Sequence, residues 1–317
     1  MSKDKYKYLS PEGLRTYSIK SRKSKVDVKN FAHILRERTS IDQFIGSLPD
    51  ILAAKDFKQF LHLMKKAKEK KRAIIFALGA HVIKVGLNPI LIDLMKKGWI
   101  SALALNGACI IHDFEVAFRG QTSEDVDIQL KKGQFGMAQE TGEMLNGAIN
   151  SGAEEGLGLG EAVGRMIASS DFPYKDLSLL GVSYKLSIPS TVHVALGTDT
   201  IHYSPESKGE ALGKTSLKDF FLFCSLLEGL ENGGIFINIG SAVILPEVFL
   251  KAVSFVRNKG LCLEDFVTAV FDFIYQYRPY QNVVRRPVAE KGKGFYFIGH
   301  HEIMIPLLAA ALVSESS

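Results

Sequence analysis

The sequence predicts an α/β fold, a parallel sheet flanked by helices and preceded by an N-terminal helical extension. Three observations carry this prediction. Short, wholly apolar runs such as AIIFALG (73–79) end on glycine, as strands buried on both faces do. Each run is followed by a helix-patterned segment with recognisable start and stop residues. The alternation then recurs in the second half of the chain, and strand–helix–strand is the unit of a parallel sheet with right-handed crossovers.

The first such unit runs from 73 to 118. In NPILIDLMKKG (88–98), Asn88 serves as cap, Pro89 opens the helix, lysines fill the last turn and Gly98 ends it, each suited to its position. ISALALNG (100–107) is a second buried strand and IIHDFEVAF opens the next helix. Later, VHVALG (192–197), GIFINIGS (234–241) and GFYFIG (294–299) read as strands. Helices are expected over 216–230, 246–256 and 301–313, and residues 133–190 read as mostly helical.

Residues 73–317 are thus expected to form the α/β domain, and residues 1–72 a basic N-terminal arm and helical extension. The first 72 residues carry 19 Lys/Arg against 8 Asp/Glu, and the remainder 20 against 26. Residues 1–27 are polar, Lys-rich and aperiodic, so an extended or poorly ordered arm is expected. NFAHILRE (30–37) places Phe31, Ile34 and Leu35 on one helical face, and residues 51–71 repeat Phe57, Phe60, Leu61 and Met64 at helical spacing. The basic run KKAKEKKR (65–72) ends that helix, where cations suit the dipole. No nucleic-acid motif accompanies it, so the expected role is a solvated helix end or a surface that meets an acidic neighbouring subunit.

At 317 residues, with 46% hydrophobic and 23% charged residues, the chain can bury a substantial core. The N-terminus has no apolar signal core. The longest apolar run, IMIPLLAAALV (303–313), is short for a bilayer and interrupted by Pro306. A cytoplasmic protein with no membrane partner is expected. Cys109, Cys224 and Cys262 are far apart, with no CxxC pair, so neither a zinc site nor a disulfide framework is expected.

In open parallel sheets, ligands bind outside the carboxyl ends of the strands. The residues there are Gly79-Ala80-His81, Asn106-Gly107-Ala108 with His112-Asp113 just beyond, Gly197-Thr198-Asp199 with His202, Gly240-Ser241-Ala242, and Gly299-His300-His301-Glu302. Small turns let backbone amides approach a phosphate or ribose. Six of the eight histidines fall near these ends. His193, early in its strand, reads as structural; His81, His112, His202, His300 and His301 are expected to converge on one edge. GLGLGEAVG (156–164) does not match the GxGxxG spacing and follows no strand, so it is set aside as a dinucleotide loop. His300, His301 and Glu302 diverge on a helix start, and no metal site is expected there.

Several of these segments resemble the deoxyhypusine synthase family. They are GLNPILIDLMKKGWISALALNGACIIHDFEVAF, LSIPSTVHVALGTDTIHYS and GKTSLKDFFLFCSLLEGLENGGIFINIGSAVILPEVFLKA, in the family's order over roughly residues 73–257. The resemblance implies a nicotinamide-binding parallel α/β fold, a homotetramer and NAD sites at subunit interfaces. It places Asn106, Gly107 and Ala108 in the turn beside NAD, Asp199 on the ribose, and Gly240 and Ser241 in the cofactor pocket. Gly79 and Thr198, at strand ends, join this expected cofactor set. A carboxylate can accept both ribose hydroxyl hydrogens. Asp199 would repel a 2′-phosphate, which favours NAD over NADP.

Two departures stand out. The family's imine-forming lysine would fall near Phe223-Cys224-Ser225, where there is none, and its Glu-Asp pair is replaced by His112-Asp113. Deoxyhypusine synthesis proper is therefore not expected. NGACIIHDFE also resembles the NAD-binding domain of archaeal-type ornithine cyclodeaminase, over about a dozen residues. Both families imply oxidation of a primary amine to an imine. The expected function is an NAD-dependent enzyme that oxidises a small amine, polyamine or diamino acid, followed by transfer or deamination. His112 near a helix start would be the neutral base, Asp113 its orienter or the ammonium ligand, and His202 and His301 reserves. The alternative is a non-catalytic nucleotide-binding or metabolite-sensing protein on the same fold.

Overall fold

A computed structural model describes residue 6 and residues 8–314. Residues 1–5 and 7 of the expected arm lie outside the described residues. Six strands form one sheet: β1 (Ile74–Leu78), β2 (Ala102–Asn106), β3 (Ser190–His193), β4 (Ile235–Ile239), β5 (Val267–Asp272) and β6 (Lys293–Ile298). Their order is β3-β2-β1-β4-β5-β6, and every pair is parallel. This is the doubly wound order in which connections reverse between β1 and β4, opening a crevice at their carboxyl ends.

The central strands β1, β2 and β4 are largely apolar on both sides because helices cover both faces. Along β1, Ile74, Phe76 and Leu78 face one core and Ile75 and Ala77 the other. Chain order gives α1 (Ile41–Ser47), α2 (Leu52–Glu69), α3 (His81–Lys84), α4 (Asn88–Lys96), α5 (Gly107–Arg119), α6 (Val126–Lys131), α7 (Gln139–Glu155), α8 (Leu159–Ser169), α9 (Leu179–Lys185), α10 (Gly209–Leu227), α11 (Ile244–Asn258), α12 (Tyr277–Pro279) and α13 (His301–Val313). Phe60 of α2 lies 5.6–5.9 Å, centroid to centroid, from Phe271, Phe295 and Phe297 of the sheet. On the opposite face Phe249 of α11 stacks on Phe236 at 3.8 Å. Helix α2, grouped by sequence with the extension, is therefore a packing layer of the sheet.

Three sequence expectations are corrected. No helix forms over 30–37: Phe31, Ile34 and Leu35 are exposed. Those apolar side chains have no partner surface among the described residues, and short helices depend on one. The nearest α-helix is instead α1, started by a capping box between Ser40 and Gln43. Strand β5 was not anticipated, because its alternation is interrupted by Thr268 and runs without a glycine into the aromatic stretch FIYQY. The third strand is Ser190–His193, and residues 194–197 leave the sheet.

Gly158, Gly160 and Gly164 are packing residues, and Gly156 ends α7 in the left-handed region at φ 73°. A β-carbon at Gly160 would sit 2.0 Å from the Ser190 carbonyl oxygen, and one at Gly158 would sit 1.9 Å from Asp219 Oδ1. The buried Asp219 carboxylate accepts the Gly160 amide at 2.8 Å and the Val192 amide at 2.7 Å. The anion-binding start of α8 is thus filled by the protein's own carboxylate, consistent with setting the motif aside.

Candidate active site

Helix α5 begins directly at the carboxyl end of β2. Asn106 caps it, its Oδ1 accepting the Cys109 amide at 3.2 Å. With no side chain at Gly107, the loop after β3 can close over the helix start: a β-carbon there would meet Asp199 Oδ2 at 2.0 Å. Ala108, His112, Thr198, Asp199 and Lys84 line one inner cavity of about 190 Å³. It shares Glu115, Ser123, Glu124, Ala138 and Thr141 with an outer groove of about 490 Å³, which adds Glu140 and Arg119. A further groove of about 480 Å³ lies at the opposite end of β3. Its Ser183 and Ser190 hydroxyls bond each other at 2.8 Å.

Asp199 is 5% exposed, and burial raises its pKa against the opposing charge of His202. Its Oδ2 has no hydrogen-bond partner among the described residues. His202 stands behind it. The Nδ1 of His202 accepts the Gly197 amide at 3.1 Å, and Nε2 is 3.7 Å from Asp199 Oδ2. With Nδ1 accepting, a neutral His202 carries its proton on Nε2, aimed at the carboxylate. Nε2 stays beyond hydrogen-bond distance of Oδ2, and His202 is not among the residues lining the cavity.

His112 does line the cavity. Its Nδ1 is 2.7 Å from Thr122 Oγ1, and the Thr122 hydroxyl donates to Glu115 Oε2 at 2.5 Å. Thr141 donates to the other Glu115 oxygen at 3.3 Å. Burial, and then the charge of Lys84, lower the His112 pKa to about 4. The imidazole is therefore neutral at physiological pH, a state able to accept a proton.

Asp113 must be reassigned. Successive helical residues point in different directions, and its carboxylate turns into the core. It accepts from Ser178 Oγ at 2.5 Å, the Leu179 and Leu180 amides at 2.7 and 3.0 Å, and Asn88 Nδ2 at 3.2 Å. It anchors the start of α9 and neither orients His112 nor reaches the cavity.

The five histidines all lie at the carboxyl edge but divide into two groups. His112 and His202 belong to the β2–β3 side. His301 is fully buried on the β4–β6 side, its ring 5.4 Å from His81 and 5.8 Å from Phe273. Its Nε2 is 3.3 Å from the Phe271 carbonyl. His301 therefore does not share the His112 cavity, and His300 is largely exposed. Between the groups the turns after β1 and β4 touch: a β-carbon at Gly79 would sit 2.2 Å from the Gly240 carbonyl oxygen. Ser241 is buried, its Oγ accepting the Leu245 amide at 3.2 Å.

No protein-family model matches the sequence, and no curated protein does. The fold has solved counterparts. A putative deoxyhypusine synthase from Entamoeba histolytica superposes with a TM-score of 0.51 at 12% identity, over 87% of this chain and 93% of that one. AgrE, solved in a ternary complex with ornithine and NAD+, superposes with a TM-score of 0.51 at 15% identity, over 81% of this chain and 32% of its own. ArgZ, an arginine dihydrolase from the ornithine-ammonia cycle in Cyanobacteria, gives 0.48 at 16%, over 83% and 33%. The chain spans about a third of the length of AgrE and ArgZ. At such identities the likeness to the deoxyhypusine synthase and AgrE structures establishes the fold alone.

Sequence reasoning missed Lys84, Glu115, Thr122, Glu124 and Thr141. Glu115 had a local signal, one helical turn beyond His112. Thr122, on the outer groove, and Thr141, on both cavity and groove, come from segments whose placement depends on tertiary packing. Phe223 and Cys224, where a family lysine would fall, are buried in the core between α10, α11 and the sheet.

Proposed function

We propose that the protein is a cytoplasmic, homotetrameric, NAD-dependent enzyme that oxidises a small amine, polyamine or diamino acid to an imine and then transfers or deaminates it. The observation that carries this reading is the pairing, in one cavity, of an unpartnered buried carboxylate oxygen on Asp199 with a neutral imidazole on His112. The orphaned Asp199 Oδ2 fits a ribose hydroxyl donor. Asn106, Gly107, Ala108 and Thr198 would surround that end of the cofactor, with Gly79, Gly240 and Ser241 toward the crevice. When bound, NAD would supply the hydride acceptor. His112 would take the proton that the substrate ammonium gives up. Glu124 and Glu140, on the walls of the cavity and groove, favour a cationic substrate.

Titration of NAD into the wild type and Asp199→Asn tests the cofactor assignment. Loss of a hydrogen bond to a charged group costs about 1.5–3 kcal/mol, so roughly tenfold or greater weakening is expected. Spermidine, putrescine and ornithine are then screened by reduced-nicotinamide absorbance and product mass. Absence of NAD binding by the wild type overturns the reading.

The buried apolar setting of Phe223 and Cys224 favours a second reading, a nucleotide-binding sensor, because no amine nucleophile stands where the resemblance would place it. Tight NAD binding with no product from any amine would select that alternative.

A further inference from the structure

The order of protons along the His112–Thr122–Glu115 chain follows from donor counting. An ionised carboxylate only accepts, so the single hydroxyl hydrogen of Thr122 is committed to Glu115 Oε2, 2.5 Å away. Thr122 Oγ1 can then only accept from His112 Nδ1, 2.7 Å away. A neutral imidazole protonated at Nδ1 keeps its lone pair on Nε2. Among the described residues, no protein group hydrogen-bonds that Nε2.

We infer that Thr122 and Glu115 are positioning residues that fix His112 as the Nδ1–H tautomer and leave Nε2 as the basic atom of the cavity. This deepens the reading of His112 as the base and rests on it. The logic is that of an orienting carboxylate acting on an imidazole, here through an intervening hydroxyl. In the proton step an ammonium N–H bond breaks, its electron pair stays on the substrate nitrogen, and a bond forms from the proton to Nε2. Thr122 and Glu115 exchange no proton with the substrate. They hold the ring and place negative charge behind the imidazolium as it forms. Glu115 is the anion on the ring's own helix, Lys84 faces it from α3, and Glu124 and Asp199 face it from the loops before α6 and after β3. Thr141 also bonds Glu115, so both carboxylate oxygens are held in place behind the ring.

The test is long-range nitrogen–proton NMR on protein carrying ¹⁵N-labelled histidine, which reads the tautomer without cofactor or substrate. The wild type is expected to show His112 with a protonated Nδ1 and an unprotonated Nε2. Thr122→Val, nearly the same shape, should lose that preference, and Thr122→Ser should restore it. A wild-type His112 protonated at Nε2, or a tautomer unchanged in Thr122→Val, overturns the inference. If the protein neither binds NAD nor turns over an amine, the functional reading fails while the spectrum still decides the relay. Given turnover, Thr122→Val should lower kcat with KM unchanged and Thr122→Ser should recover it; a Thr122→Val enzyme with wild-type kcat overturns the inference.

Discussion

The Asp199 carboxylate rests on the α-carbon of Gly107, so close that a β-carbon there would lie 2.0 Å from Oδ2. The start of α5 carries partial positive charge, which favours the anion where burial disfavours it. Gly107→Ala gains helix propensity of up to about 1 kcal/mol, but the overlap with a buried carboxylate outweighs that gain. The expected outcome is a lower melting temperature together with weakened NAD binding, measured by calorimetry. A fully stable Gly107→Ala with unchanged binding would refute the role assigned to this contact.

His112 and Asp113 are neighbours in sequence with opposite expected phenotypes. His112→Ala should leave the melting temperature and NAD affinity close to wild type while lowering turnover by about 100-fold or more. Asp113→Ala leaves the start of α9 and Ser178 without their acceptor. Buried donors without partners cost about 1–3 kcal/mol each, so stability should fall by roughly 3 kcal/mol or more. Denaturant unfolding of the two variants side by side separates the site residue from the anchor.

Asp219 offers a pH signature. Burial raises its pKa to about 7, against the two amides that lower it. Between the unfolded value near 4 and about 7, the folded protein holds a proton that the unfolded chain has released. Folded protein then binds more protons, so this group's contribution to stability falls as pH rises through that window. Asp219→Asn removes the titration. Its stability relative to wild type should therefore improve steadily from pH 4 to pH 7, as measured by urea melts across that range.

The strand–helix alternation was readable because buried parallel strands and their helices carry strong local patterns, as at residues 73–118. Strand β5 escaped because Thr268, bonded to the Val283 carbonyl, is polar in sequence yet buried in the sheet. Phe31, Ile34 and Leu35 had a helical period but no surface to pack on, which sequence periodicity does not register. In the site, the turn at 106–108 was visible from its small residues. The turning of Asp113 into the core was not, because its donors are supplied by residues 88 and 178–180 from other elements. Thr122 was likewise invisible, since its position depends on the path of the loop after α5.

Lys84 and Glu115 place opposite charges near His112, Glu115 Oε2 lying 3.9 Å from Nδ1. Burial is the larger cause of the low His112 pKa, about 4, and the Lys84 charge adds to it. Replacing Lys84 with Met removes a repelling cation, so the His112 titration should move up in pH. Glu115→Gln removes the anion linked to the ring through Thr122, so the titration should move down. If His112 is the base proposed above, the neutral imidazole is the competent form above about pH 4, and kcat/KM should fall as pH drops through that value. The acid limb should rise in pH for Lys84→Met and descend for Glu115→Gln, with the NMR titration of His112 moving in step. If both substitutions shift the limb in the same direction, the electrostatic account of this base is wrong.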